Sequence, residues 1–259
     1  MPLITLTTDF GRTAPYVAVM KGVILSVHPH ATLIDLSHDI RPQNLRHASY
    51  FLGTAAPYFP AGTIHLCVVD PGVGSSRAAL CIEQAGRYFV GPDNGIFTHV
   101  LRQGPAIIHQ LTDPRFWRTA TPSATFHGRD IFAPVAAHLS RGVRPAEMGP
   151  PLSHPVMLPW ADAVTNGRLW RGSVQFIDDF GNIITNIPAL PPPSALVKVV
   201  INNKPVGVLR WVRTYSDGLP GQWLGLASSD GFCEIAEVNG HAARSLVVDE
   251  GATVEWEWQ

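Results

Sequence analysis

The hydrophobic pattern of the first 160 residues alternates between strand and helix. Leu3–Thr8, LITLTT, is a short β-branched run that stops at Asp9-Phe10-Gly11. Val17, Met20, Val23, Ile24 and Val27 then recur at helical spacing, which predicts a helix over Tyr16–Val27 that Pro29 stops. ATLIDLS, residues 31–37, predicts a second strand. Strand, helix and strand within some 37 residues make a βαβ unit, whose strands pair in parallel. Asn44 is placed to cap a helix through Leu45, Ala48, Phe51, Leu52 and Ala55. TIHLCVVD, residues 63–70, is apolar without alternation, the pattern of a strand covered on both faces. Shorter strands are predicted at 78–84, 87–91 and 106–111, and a helix over 131–140, capped by Asp130 and closed at Gly142.

The texture changes after residue 155. Prolines at 150, 151, 155 and 159 lead into RLWRGSVQFID and FGNIITNI, a Pro191-Pro192-Pro193 break follows, and short alternating segments run to EWEW. Helical periods are nearly absent. The pattern therefore predicts an α/β domain with a mixed, largely parallel sheet at 1–160, joined to a smaller all-β domain at 161–259.

Composition narrows the functional classes. Lys plus Arg is 19 and Asp plus Glu is 20, so the chain lacks the basic excess that a nucleic-acid or anionic-membrane partner requires. Apolar residues reach 46%, enough for a sizeable core, and 23 Gly with 23 Pro imply many shaped loops. Cys67, Cys81 and Cys233 contain no CxxC pair. The start of the chain has no signal-peptide pattern and no segment is apolar enough to span a membrane, so a cytoplasmic location is expected.

Open α/β sheets bind ligands beyond the C-terminal ends of their strands. Asp9 and Asp70 stand at two such ends, whereas Asp35 lies inside its strand with Ser37 and His38 at the exit. Asp70 opens the turn Asp-Pro-Gly-Val-Gly-Ser-Ser-Arg, which lacks the P-loop lysine and lets Arg77 return toward Asp70. That pair is either functional or a surface ion pair worth under about 1 kcal/mol. His127 precedes a helix start, with Gly128 leaving room beside it. Asp9, His38, Asp70 and His127 form a conceivable metal set, but HExxH and other diagnostic ligand spacings are absent. In the β domain Asp178, Phe180 and Asn182 offer a carboxylate, a ring and an amide, and Ser229 lies in a Ser-Ser-Asp-Gly turn. Both segments are also ordinary turn formers. Glu234 sits in an apolar strand and needs a partner there, a ligand ammonium or an arginine.

Eight segments, in order, carry a resemblance: TDFG (8–11), MKGVI (20–24), IDLSHDI (34–40), YFPAGTIHLCVVDPGVGSSR (58–77), VGPDNGIFT (90–98), FHGRD (126–130), FGNIITNI (180–187) and SSDGFCEIA (228–236). Together they resemble the S-adenosylmethionine hydroxide adenosyltransferase family, relatives of the fluorinases and chlorinases. The resemblance implies that the second domain is a β-barrel and that the chain forms a homotrimer with sites where one subunit's first domain meets a neighbour's second. It also implies conversion of S-adenosylmethionine and water to adenosine and methionine, with S-adenosylmethionine as substrate and no cofactor or metal.

By the same resemblance Asp70, Arg77 and His127 are the catalytic set, and Asp9 holds the ribose hydroxyls. Asp70 also touches substrate. Asp178, Asn182 and Ser229 lie around the methionine end with Phe180 packing nearby, Glu234 lies near the ammonium and Val238 near the adenine. Pro15 and Cys233 depart from the usual pattern, where many members have an acidic residue and a leucine. The halogenating relatives carry a tyrosine at the position of Asp70, a serine at that of Gly128 and an extra loop shortly after that of Arg77; this chain has none of the three. The competing expectations are a metal-dependent hydrolase using the strand-end Asp and His residues, and a non-catalytic S-adenosylmethionine-binding module.

Overall fold

The computed structural model describes residues 3–189 and 195–258, and the Pro191–Pro193 break lies outside the described residues. The chain forms two compact units, Met1–Leu158 and Pro159–Gln259.

The first unit is built on a six-stranded sheet of β1 (Leu3–Thr8), β2 (Thr32–Ser37), β3 (Ile64–Val68), β4 (Ala79–Gln84), β5 (Arg87–Pro92) and β6 (Ile107–Gln110), in the order β2-β1-β3-β5-β4-β6. β2, β1, β3 and β5 pair in parallel, and β4 runs antiparallel to both its neighbours. The βαβ expectation therefore holds: β1 and β2 are parallel neighbours linked by α1 (Tyr16–Val27).

The pleat sorts side chains to two cores. Ile4, Leu6, Ile64, Leu66 and Val68 face one apolar layer with Met20 and Ile24 of α1 and the residues of α4 (Ala133–Ser140). Cys67, Val69, Leu80 and Ile82 face the other, with Ala48 and Leu52 of α2 (Leu45–Ala55) and Val100 of α3 (Thr98–Leu101). That is why β3 reads as unbroken apolar sequence: all five of its residues are buried. Asn44 caps α2 by accepting from the His47 N–H at 3.0 Å.

One expectation is corrected. Asp130 does not cap the helix after it. Residues Gly128–Phe132 form a π-turn leading into α4, and the Asp130 side chain, fully buried, turns back to accept from Arg118, Arg129 and the Ser123 N–H.

The second unit consists of β7 (Val164–Thr165), β8 (Leu169–Ile177), β9 (Ile183–Pro188), β10 (Leu196–Ile201), β11 (Lys204–Trp211), β12 (Trp223–Ala227), β13 (Phe232–Glu237), α5 (Ala242–Leu246) and β14 (Thr253–Trp258). Seven strands close in the ring β14-β10-β11-β12-β13-β9-β8, because β8 also pairs with β14, and β7 adds to the edge of β8. Closure removes the free edges of the sheet. The interior is filled by Val197, Val199, Ile235 and Trp256 among others.

His65 is fully buried in β3, stacked on Phe89 and hydrogen-bonded through Nδ1 to Thr5 Oγ1 at 2.8 Å. Burial, reinforced by Arg87, holds its pKa at about 4, below the ordinary 6.5. A lowered histidine pKa means that the unfolded chain takes up the proton first, so stability falls as pH drops from about 6.5 toward 4, by about 3 kcal/mol in all. Thermal unfolding of the parent and a His65→Gln variant is expected to give melting temperatures that converge as pH is lowered through this window. A gap independent of pH would contradict the assignment.

Candidate active site

Asp9 and Asp70 follow neighbouring parallel strands, β1 and β3, in register at Thr8 and Val68, so both carboxylates emerge at one edge of the sheet. The Asp9 Oδ2 accepts the N–H of Gln43 at 2.9 Å, and Gln43 takes a left-handed φ of 62° that presents that N–H. The 70–77 turn closes on itself: Val73 N–H bonds Asp70 O, the Ser75 hydroxyl donates to Gly72 O, and Arg77 N–H bonds the Ser75 hydroxyl. These bonds bring Arg77 back over Asp70. Gly74 has a φ of +78°, and a Cβ there would collide with the carbonyl oxygen of Ala124. Glycine thus lets this turn lie directly against the loop that carries His127.

Arg77 is the hub. Its Nε donates to both carboxylate oxygens of Asp70 at 3.0 and 3.1 Å, and Nη2 donates to Asp70 Oδ2. Nη2 also lies 2.7 Å from His127 Nδ1, and Nη1 donates to Ala78 O. The guanidinium packs against the Phe132 ring. The side chains of Arg77 and Asp70 are 9% and 5% exposed, so the surface-ion-pair alternative is corrected: this is a desolvated pair.

A guanidinium only donates, so His127 Nδ1 must accept with its lone pair and the ring proton lies on Nε2. Burial and the Arg77 charge lower the His127 pKa, while Asp70 and Asp130 oppose the shift. The imidazole is neutral at pH 7, with one free donor. The loop behind it is fixed by Asp130, whose carboxyl stays ionised despite burial because Arg129, Ser123 and Arg118 donate to it.

A cleft of about 190 Å³ is lined by Asp9, Phe10, Gln43, Asp70, Phe126 and His127 among others. Arg77 stands behind this wall. Phe10, Tyr16 and Phe126 contact one another edge to face beside the cleft. The volume is below the roughly 300–1,000 Å³ of pockets that take a whole drug-sized ligand.

In the second unit Asp178, Phe180, Asn182 and Val238 line a cavity of about 710 Å³. Asp178 holds its turn by accepting from the Asn182 N–H and amide at 2.8 and 2.9 Å. Phe180 is 79% exposed there. Ser229 is exposed on the β12–β13 turn and is not among the lining residues. Glu234 is buried, and among the described residues its hydrogen-bond partner is not an arginine but the Tyr215 hydroxyl, donating at 2.7 Å. Tyr215 itself lines the cavity, and no motif marked it.

The conceivable metal set is not assembled. His38 is committed to Thr8 Oγ1 through Nδ1 and to Asp35 through Nε2, and among the described residues no group of three His, Cys, Asp or Glu side chains is arranged to hold a metal ion.

An α/β unit with paired strand-end carboxylates, followed by a closed barrel with an acidic cavity, defines a two-domain class. The chain belongs to the S-adenosylmethionine hydroxide adenosyltransferase family, whose N-terminal domain model matches residues 4–149 and whose C-terminal domain model matches residues 172–255. It is 40% identical to the (R)-S-adenosyl-L-methionine hydrolase of Thermus thermophilus, over 95% of this chain and 96% of that one. A protein of the same name from Methanocaldococcus jannaschii is 36% identical, over 96% and 93%. The fluorinase of an Actinoplanes species is 28% identical over 72% of each chain. The crystal structure of an uncharacterized conserved protein from Thermotoga maritima superposes with a TM-score of 0.91 at 36% identity, covering 98% of this chain and 99% of that one.

Removing one partner of a buried ion pair leaves the other charge unpaired. An Arg77→Met variant is expected to lose about 3–5 kcal/mol of unfolding free energy in denaturant titrations. The double variant Asp70→Asn/Arg77→Met is expected to recover part of it. A loss under 1 kcal/mol for the single variant would mean that the pair behaves as a surface contact.

Proposed function

We propose that this chain hydrolyses S-adenosyl-L-methionine to adenosine and L-methionine by direct attack of water on C5′. The observation that carries this reading is the closed Asp70–Arg77–His127 network on the wall of a strand-end cleft, supported by the names of the full-length relatives. Those names specify the (R) form of the substrate, and the same form is proposed here.

In this reading Asp9 receives the ribose hydroxyls and brings C5′ to the cleft wall. Water lies between Asp70, which accepts its proton, and the Nε2–H of His127, which donates to the oxygen as hydroxide character develops. Arg77 acts from behind. Its donors are already placed on Asp70, His127 and Ala78, so it fixes both groups and polarises the imidazole toward the forming anion. The new C5′–O bond forms as the C5′–S bond breaks. The bonding pair goes to sulfur, methionine leaves as a neutral thioether, and one proton passes through Asp70 to solvent. The sulfonium makes the leaving group good without a metal or a cofactor. A halide would have to shed its hydration and sit beside the Asp70 carboxylate, where two anions repel, so water is favoured over halide.

Asp178, Asn182 and Phe180, with Glu234, Val238 and Ser229, serve the methionine and adenine ends from the second unit. The small volume of the first cleft fits a site holding only part of the substrate. A homotrimer, with neighbouring subunits supplying the two parts, is proposed with it. α1 fits such an assembly, since Tyr16, Val19 and Leu25 expose apolar surface on a helix already packed on its other face. Cys67, Cys81 and Cys233 are buried and form no disulfide among the described residues, as suits a reducing cytoplasm.

The test is incubation with each sulfonium epimer in ¹⁸O-labelled water after exhaustive chelation. Adenosine and methionine are expected in equal amounts, with the label on the 5′ oxygen, from the (R) form and unchanged by chelation or chloride. Asp70→Asn is expected to lower kcat roughly a hundredfold or more. Unlabelled adenosine, or activity abolished by the chelator, would overturn the reading.

A further inference from the structure

Asp9 stands in a turn that one histidine holds on both sides. His38, at the exit of β2, is buried, and its Nδ1 lies 2.9 Å from Oγ1 of Thr8, the last residue of β1. The same hydroxyl oxygen accepts the Phe10 N–H at 3.3 Å, and the His38 carbonyl accepts the Gly11 N–H at 2.8 Å. Thr8, Phe10 and Gly11 flank Asp9 in sequence, so its place is set from the β2 exit. Two further contacts join the same segments: Arg12 pairs with Asp39 at 2.7 Å, and Gln43 N–H donates to Asp9 Oδ2 at 2.9 Å.

The imidazole is itself held from its far end. His38 Nε2 lies 3.0 Å from Asp35 Oδ1, and Lys21 of α1 donates to Asp35 Oδ2 at 2.6 Å. Partial burial opposes ionisation of Asp35, but the contacts with Lys21 and His38 outweigh it and hold its pKa below the ordinary value. A carboxylate only accepts, so His38 carries a proton on Nε2. Thr8 Oγ1 keeps a lone pair for the Phe10 N–H whichever partner donates in its bond to Nδ1. Thr8 is fully buried, so no water can replace that bond.

Lys21, Asp35, His38 and Thr8 thus form a chain of side chains that ends beside Asp9, yet none of the four lines the cleft. A carboxylate that receives a pair of neighbouring hydroxyls must be held in one orientation, and a loose turn would have to be ordered at each binding event.

We propose that His38, held by Asp35, is the positioning residue for Asp9: through Thr8 and through its own carbonyl it fixes the turn so that the carboxylate meets both ribose hydroxyls, and it makes the site selective for ribonucleosides over their deoxy forms. The proposal rests on S-adenosylmethionine being the substrate and on Asp9 receiving its ribose. His38 acts on binding and leaves the bond-breaking step to Asp70 and His127.

The experiment measures KM and kcat for S-adenosylmethionine, with competitive inhibition by adenosine and by 2′,3′-dideoxyadenosine, in the parent chain and His38→Gln. For His38→Gln the KM and the adenosine inhibition constant are both expected to rise about tenfold, with kcat within about twofold. The constant for dideoxyadenosine is expected to change less than about twofold. In an Asp9→Ala background His38→Gln is expected to add less than about twofold to KM, since its route runs through Asp9. A loss of stability alone would move none of these ratios. An equal effect on the two nucleosides, or a full tenfold effect without the Asp9 carboxylate, overturns the proposal while leaving the hydrolase reading intact. A parent chain that does not consume S-adenosylmethionine overturns the hydrolase reading and this proposal with it. If His38→Gln fails to fold, Asp35→Ala decides, because that side chain is 42% exposed. It must raise the adenosine constant about threefold or more and leave the dideoxyadenosine constant in place, and an unmoved adenosine constant refutes the role.

Discussion

One guanidinium organises the strand-end wall of the first unit. Arg77 donates to both oxygens of Asp70 and to Nδ1 of His127 while its own charge is withdrawn from water. Each partner is constrained by this. Asp70 is held beside the cleft, and His127 is limited to the tautomer with its proton on Nε2. Two segments must converge for the contact to form, and three devices bring them together: the hydroxyl bracing of the 70–77 turn, its glycine at 74 that permits close approach to Ala124, and the buried Asp130 that anchors the His127 segment. The fold serves this convergence, because the parallel order of β1 and β3 brings Asp9 and Asp70 out at one edge.

The two units differ in the charge of their cavities. The first unit pairs its carboxylate with a resident cation beside a small cleft. The second unit presents carboxylates without basic residues in its cavity lining.

The sequence patterns that carried most were those with a mechanism behind them. The unbroken run of β3 was legible because both faces of that strand are covered, and α2 because Asn44 is a working cap. Asp9, Asp70 and Arg77 could be found from strand ends and a glycine-rich turn. Their burial could not, and the surface-pair alternative stayed open until the fold showed water excluded. Asp130 looked like a helix cap because Asp commonly is one, yet tertiary contacts with Arg118 and Arg129 captured it. Tyr215 was invisible: its bond to Glu234 depends on the parallel crossover from β11 to β12 that brings it there from nineteen positions away in sequence, and periodicity holds no signal for such a contact. A carboxylate in an apolar strand was the one hint that a partner had to exist.

The most direct test of the central interaction is the ¹⁵N NMR spectrum of the His127 imidazole near pH 7. The account predicts a neutral ring with an unprotonated Nδ1 and a protonated Nε2, a preference that weakens in Arg77→Met. A proton on Nδ1, or a doubly protonated ring at that pH, would contradict it.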